Sequence, residues 1–356
     1  MTAPETMKAI RWHGPRDMRL ESVPKPVPKA HEALIRIESV GVCGSDLHYY
    51  LDGRIGSQVI EPPLILGHEY AGIVEAVGEQ AKPALLGKRV AVEPGIPCLD
   101  CEWCKSGHYN VCTRMFFPGG PGCNGAFCEY MTVHAEFCSA IPDSMSPAEA
   151  AMVEPAAVAV HTVELARIKP GESAAILGLG PIGLLTAQVA KLAGICTLYG
   201  TDLLDYRVEA GQRCGVDVGF AVERDRPGDG GAATVDRIMA ETGGRGVDVA
   251  FDCTNSSEGM ALACRVTRPA GRCVLTGISG VECDPVPVSV ARRRELTFHW
   301  CRRFKHNFPT TIALMASGKI DVKSLITHSF PLEKTRDAFE LVAENGDNVL
   351  KVSIDQ

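Results

Sequence analysis

No stretch of this 356-residue chain stays apolar for long. Its most apolar segment, Ala174 to Gly200, is broken by Pro181, by several glycines and by Lys191, so no membrane span is expected. Basic residues are in deficit: 36 Lys and Arg face 43 Asp and Glu, for a formal net charge of −7 and a pI near 5.8. That balance leaves no general basic surface to attract nucleic acid. Met1–Glu5 has neither a basic start nor an apolar run, so no secretory leader is expected. The chain also has no internal repeat and no low-complexity tract.

Hydrophobic residues make up 46% and charged residues 22%, the balance of a soluble globular protein long enough for two ordinary domains. Cysteine is plentiful, at 15. An odd count and scattered placement (Cys196, Cys214, Cys253, Cys264, Cys273, Cys283, Cys301) do not read as a disulfide framework. A cytoplasmic location is expected. Four cysteines do cluster: Cys98, Cys101, Cys104 and Cys112 follow the spacing C-x2-C-x2-C-x7-C. One Zn2+ suits that spacing, because four thiolates at about 2.3 Å close a tetrahedron and leave no open position for chemistry. Turn-forming residues, Gly95-Ile-Pro97 before and Lys105-Ser-Gly107 within, let the backbone wrap an ion. Two disulfides, or four unrelated thiols, are the alternative.

Short apolar runs broken by Gly and Pro fill the first 150 or so residues. Ala33–Val42, Leu64–Val77, Lys88–Val92 and Phe127–Val133 read as strands. From about Pro155 strands alternate with helices: Ala174–Leu179 then Pro181–Ala193, Cys196–Thr201 then Leu204–Cys214, Val247–Cys253 then Ser256–Thr267, and Arg272–Thr276. That rhythm predicts βαβ units and a parallel sheet. Beyond Leu296 come expected helices at Pro309–Ser317 and Leu332–Glu344 and a last strand at Val349–Ile354.

Gly178-Leu-Gly180-Pro181-Ile182-Gly183 follows an expected strand and opens an expected helix. Such a turn brings backbone close to a pyrophosphate and points unpaired helix N–H groups at it. The next strand ends in Asp202, placed to accept hydrogen bonds from an adenosine ribose and to repel a 2′-phosphate, which favours NAD. Arg207 nearby keeps NADP open. A second metal set is suggested by Cys43, by His68-Glu69 and by Glu154: thiolate, imidazole and carboxylate with one open position make a catalytic zinc site. Spacing alone leaves open whether these residues meet.

Over nearly its full length the chain resembles the zinc-dependent medium-chain dehydrogenases, most closely their sorbitol (polyol) branch. The carrying segments are Gly41–Tyr49 (GVCGSDLHY), Asp52–Gly56 (DGRIG), Leu66–Glu69 (LGHE), the four-cysteine lobe, Val153–Pro155 (VEP), Leu177–Gly183 (LGLGPIG), Thr201-Asp202 and Thr327–Glu333 (THSFPLE). The resemblance implies an α/β chain: a GroES-like, β-rich catalytic domain from residues 1–155 and 299–356, with the structural zinc lobe at about 95–113. A Rossmann domain with a doubly wound parallel sheet occupies 156–298. It implies two zinc ions per chain, with Cys43, His68 and Glu69 on the catalytic one and Glu154 as an alternate or water-mediated ligand. Ser45 and His48 fall on the family's proton relay. NAD is the implied cofactor, and a homotetramer (or homodimer) the implied assembly, for which Val286–Val290 and Leu296–Trp300 offer apolar segments.

The implied reaction oxidises a secondary alcohol to a ketone with hydride transfer to NAD. By position Tyr49, Phe116, Phe117 and Arg303 resemble residues lining the branch's substrate pocket. One departure stands out: where the branch commonly has Arg-Tyr, this chain has Arg303-Phe304, within Arg302-Arg-Phe-Lys-His306. The lost hydroxyl and the local positive charge leave an anionic substrate open beside a free polyol. Threonine, butanediol, an aldose or a sugar phosphate are other alcohol substrates to be weighed. So is a zinc- and nucleotide-binding protein without turnover, although nothing but catalysis needs Cys43, Ser45, His48, His68, Glu69 and Glu154 together.

Overall fold

Side chains alternate in and out along Glu32–Gly41, sending Ala33, Ile35 and Ile37 into the interior at 0%, 0% and 1% exposure. The computed structural model describes residues 5–222 and 231–356; Met1–Pro4, the start of the segment read for a leader, lie outside the described residues. Two units are formed. The first runs to Glu154 and takes in Phe308–Ser317 and Val322–Gln356, and the second holds the described residues of Pro155–Asn307 with Gly318–Asp321.

In chain order the first unit opens with a hairpin, β1 (Thr6–Gly14) and β2 (Asp17–Pro24), followed by β3 (Glu32–Gly41) and helix α1 (Gly44–Asp52). A small hairpin, β4 (Arg54–Ile55) and β5 (Gln58–Val59), precedes β6 (Leu64–Ile65), β7 (Glu69–Val77) and β8 (Arg89–Val92). The short α2 (Glu102–Lys105) lies in the cysteine lobe, and β9 (Tyr130–His134), β10 (Cys138–Ala140) and α3 (Pro147–Ala151) lead to α4 (Val153–Ala166). The second unit contains β11 (Ser173–Leu177), α5 (Pro181–Leu192), β12 (Thr197–Asp202), α6 (Asp205–Arg213), β13 (Val218–Ala221), α7 (Ala232–Glu241), β14 (Val247–Asp252), α8 (Gly259–Val266), β15 (Thr267–Leu275), α9 (Val288–Arg293) and β16 (Thr297–Trp300). The chain closes with α10 (Phe308–Ala316), β17 (Ile326–Pro331), α11 (Thr335–Ala343) and β18 (Lys351–Asp355).

In the first unit β10, β8, β7, β3, β18 and β17 pair in that order, and β9 joins β3. Strands from both ends of the chain thus share one sheet. Its core gathers Ile35, Ile37, Tyr70, Val74 and Phe127 with Phe339 from α11. The second unit holds a wholly parallel six-stranded sheet in the order β13-β12-β11-β14-β15-β16. Numbered within that sheet, the order is 3-2-1-4-5-6, that of a doubly wound dinucleotide-binding fold, with its switch point between β11 and β14. All six residues of β14 are buried, as expected for a central parallel strand covered on both faces.

Several expected elements are redrawn. Leu64–Val77 is not one strand: residues 66–68 leave the ladder, with Gly67 at φ +95°. The cause is the segment after Asn124, where the N–H groups of Gly125, Phe127 and Ala126 bond the carbonyls of Ile65, Leu66 and Gly67 at 2.7, 3.0 and 2.9 Å. For the same reason the strand expected from Phe127 starts only at Tyr130. The helix expected from Ser256 begins at Gly259, because Thr254 Oγ1 and Ser256 Oγ take the N–H groups of Ser256 and Glu258. Strand β15 starts earlier than Arg272, since Thr267 already pairs with Val247. Leu332–Lys334 is a separate 3-10 turn before α11. Helix α1 was not expected, and Cys43 caps it rather than ending a strand.

Candidate functional site

Cys43, His68 and Glu69 are brought together by strand register. Gly41 at the end of β3 stands opposite Glu69 at the start of β7, so Cys43 and His68, just outside the two strands, converge. One potential ligand atom from each of the three lies within 4.8 Å of the others. A methyl group on Gly41 would overlap Glu69 Oε2, so this close approach requires glycine.

Charge around the cluster is organised by two residues that the sequence reading passed over. Asp46, 1% exposed, accepts the N–H of Gly67 at 3.3 Å and lies 3.2 Å from His68 Nδ1. A carboxylate on one ring nitrogen orients a histidine to offer the other to a metal. Burial opposes protonation of His68, yet Asp46 and Cys43 outweigh it and hold the ring well above its ordinary pKa. Lys351, from β18, is only 3% exposed. Its Nζ donates to the Val42 carbonyl at 2.9 Å and to Glu69 Oε2. Burial would lower its pKa, but Glu69 and Cys43 keep it raised, so a buried ammonium faces a buried carboxylate. The available signal for Lys351 was a lone lysine amid the apolar run Val349–Ile354.

Thiolate, imidazole and carboxylate around one point form a donor set that fits zinc with an open position. Ser45 Oγ donates to Cys43 Sγ at 3.3 Å. His48 lies three residues on along α1 and so on the same helix face. Glu154 is buried at 5% exposure in the first turn of α4 and contributes to the field at Lys351. Within the first unit the Phe117 ring lies 5.0 Å from that of His68, Tyr49 is buried, and Phe116 is exposed with its backbone bridged to Ile96.

The four-cysteine lobe has the dimensions of a closed site. Neighbouring sulfurs are separated by 3.4 Å (Cys101–Cys104), 3.5 Å (Cys98–Cys112) and 3.9 Å (Cys98–Cys104 and Cys101–Cys112). Four sulfurs on a tetrahedron of about 2.3 Å radius would stand about 3.8 Å apart. All fifteen cysteines are free thiols, which disposes of a disulfide pairing here. Backbone N–H groups of Cys98, Cys101 and Arg114 point at these sulfurs at 3.3, 3.3 and 3.4 Å. The backbone N–H groups of Asp100 and Cys101 pull the Cys98 thiol down to about 6, which favours the thiolate a metal needs.

In the second unit the glycine turn joins β11 to α5. Gly178 has φ +87°, and a methyl group on Gly183 would overlap the Gly178 carbonyl oxygen, so strand and helix meet more closely than any side chain allows. Gly180 caps α5, with Pro181 and Ile182 opening its first turn. Asp202 ends β12, and Arg207 Nη1 lies 3.9 Å from its Oδ1. Further on, Arg303 and His306 both adopt the left-handed region, at φ +54° each. A non-glycine residue held there is strained, and such strain concentrates at functional sites. Phe304 between them is buried, and the adjacent Asn307 is pinned by its Nδ2 to the Ala157 carbonyl at 2.9 Å.

Residues 29–143 match the alcohol dehydrogenase GroES-like domain, and residues 181–317 match the zinc-binding dehydrogenase domain. Sorbitol dehydrogenase of Bacillus subtilis is 37% identical over 354 residues, covering 99% of this chain and 98% of its own. The chain belongs to the zinc-dependent medium-chain dehydrogenases, in their sorbitol dehydrogenase branch. Solved structures agree. An Escherichia coli oxidoreductase/dehydrogenase of unknown specificity involved in membrane biogenesis superposes with a TM-score of 0.88 at 32% identity, over 99% of both chains. An E. coli CFT073 alcohol dehydrogenase complexed with NADH superposes with a TM-score of 0.87 at 29% identity, over 99% of both. This member of the branch is an NAD-dependent zinc oxidoreductase acting on a small-molecule alcohol, a GroES-like unit and a Rossmann unit in one chain. No helix among the described residues is long and apolar enough to cross a membrane.

Proposed function

We propose that the chain oxidises one secondary hydroxyl of a free polyol of the sorbitol, xylitol or arabinitol type to the ketose, converting NAD+ to NADH and releasing one proton. On this reading Cys43, His68 and Glu69 hold a catalytic zinc, with Glu154 in reserve as alternate or water-mediated ligand. Cys98, Cys101, Cys104 and Cys112 hold a second, structural zinc. The turn Gly178–Gly183 with Asp202 receives NAD, and the catalytic domain is drawn from both chain ends with the dinucleotide domain between. The observation that carries the reading is the convergence of a thiolate, an imidazole and a carboxylate within 4.8 Å.

When bound, zinc supplies Lewis acidity to the hydroxyl oxygen and NAD accepts the hydride. The chain's own residues then divide the remaining work. Lys351 and Asp46 fix Glu69 and His68 in place. Ser45 and His48, one turn apart on α1, provide the path by which the hydroxyl proton leaves, an imidazole being able both to accept and to donate a proton. Tyr49, Phe116 and Phe117 shape the substrate side, and Arg303 binds vicinal hydroxyls through its fork of donors. A homotetramer, or a homodimer, is the assembly we assign. It is supported by β16, the open edge of the parallel sheet, where Trp300 is 64% exposed and nearby Val288 66%. The free thiols support a cytoplasmic setting.

The deciding experiment is NADH formation over a panel of stereoisomeric polyols, their phosphates and their acids, with and without a zinc chelator. Chelator-sensitive turnover of a free polyol is expected. Turnover confined to anionic members would transfer the assignment to an anion pocket around Arg302, Arg303 and Lys305. No turnover despite bound zinc and NAD would refute the polyol reading.

A further inference from the structure

Asp202 makes bonds that ribose recognition does not require. Its carboxylate is 8% exposed, and both oxygens are engaged by backbone: Oδ2 accepts the N–H of Leu179 at 2.8 Å, and Oδ1 that of Leu204 at 3.1 Å. Leu179 is the residue between the first two glycines of the turn. Its side chain is fully buried at 0% exposure, in a slot kept open by the lack of side chains at Gly200 of β12 and Gly211 of α6. A methyl group at those positions would approach Leu179 Cδ1 to 3.2 and 2.8 Å. The Gly178 N–H is held in turn by the Thr201 carbonyl at 2.9 Å. Glycine gives this turn its freedom to bend, and β12 removes it again at two successive residues.

We propose that Asp202 is a positioning residue that anchors the glycine turn through Leu179, so that its loss weakens the whole dinucleotide and not only the adenosine ribose. The proposal rests on the assignment of NAD to this turn. An ionised carboxylate has about four acceptor directions, so two amides leave room for ribose hydroxyls, and one side chain performs both tasks. Exchanging Asp202 for a small neutral residue to admit a 2′-phosphate would therefore also release the turn. Cofactor choice and turn order are coupled.

The test compares wild type, Asp202→Ala and Asp202→Asn by amide hydrogen exchange at Leu179 in the cofactor-free protein. In parallel, affinity is measured for NADH and for its 2′-deoxyadenosine analogue by nicotinamide fluorescence. Asp202→Ala should speed Leu179 exchange about tenfold or more, the weight of a hydrogen bond to a charged acceptor. Asp202→Asn keeps a carbonyl acceptor and should recover part of the protection; if the alanine variant does not fold, the asparagine variant carries the same comparison. Both dinucleotides should weaken in Asp202→Ala. Unchanged exchange at Leu179, or a loss confined to NADH with the analogue unaffected, would overturn the anchor. Failure of the wild type to bind NADH would instead overturn the cofactor assignment, and the exchange data would still decide the anchor.

Discussion

Replacing Lys351 with methionine keeps the length of the side chain and removes its charge. Glu69, 1% exposed, then loses the ammonium bonded to it in the metal-free protein, and the Val42 carbonyl loses its donor. Removing one partner of a buried ion pair costs about 3–5 kcal/mol, because the remaining charge stays desolvated. At roughly 2–4 °C per kcal/mol for domains of 150–250 residues, Lys351→Met should melt about 6–20 °C below wild type in the presence of chelator. Neutralising both partners is different: Lys351→Met with Glu69→Gln leaves no buried charge and should recover most of the loss, since neutral replacements of buried pairs are often harmless. Calorimetry of the four metal-free proteins gives the coupling directly. A single variant within about 1 kcal/mol of wild type, or costs that simply add in the double variant, would refute a buried pair at this position.

Asp46→Ala should lower affinity for the catalytic zinc by about 10–100-fold, the usual weight of a carboxylate behind a metal-bound histidine, as read by competition with a chelating dye. On the proposed assignment of two zinc ions per chain, Cys101→Ser should remove one of them by elemental analysis, while the remaining ion stays sensitive to Asp46→Ala. Burial pushes Glu93 up to about 7, only partly offset by its hydrogen bond from Tyr109. A carboxyl raised on folding binds more protons in the native state, so stability should fall as pH rises from about 4.3, the unfolded value, through about 7. Glu93→Gln should flatten that slope in denaturant titrations and be the more stable protein at pH 8; an unchanged slope would contradict the assignment.

What could be read ahead of the structure depended on how locally each feature is encoded. The glycine turn and the cysteine lobe are continuous segments in which spacing alone carries chemistry. Cys43, His68 and Glu69 are different, because they meet through the pairing of Gly41 with Glu69, which no local pattern announces, and only family resemblance placed them together. Asp46 and Lys351 were missed for a related reason: each acts through a neighbour's side chain. Element boundaries failed where backbone is bonded by a distant segment, as for the strand interrupted at Leu66–His68, or by hydroxyls, as for the helix start at Thr254 and Ser256. An apolar run such as Leu64–Val77 has no means of encoding such an interruption.

The pairing of β18 with β3 has a consequence for synthesis. Glu69 and Lys351 are 282 residues apart, so a ribosome releases the carboxylate long before its counter-charge. Until the last strand docks, β3 lacks one neighbour and Glu69 faces the interior alone. The sheet of the first unit can therefore gain its β18–β3 pairing only after the dinucleotide unit has been made.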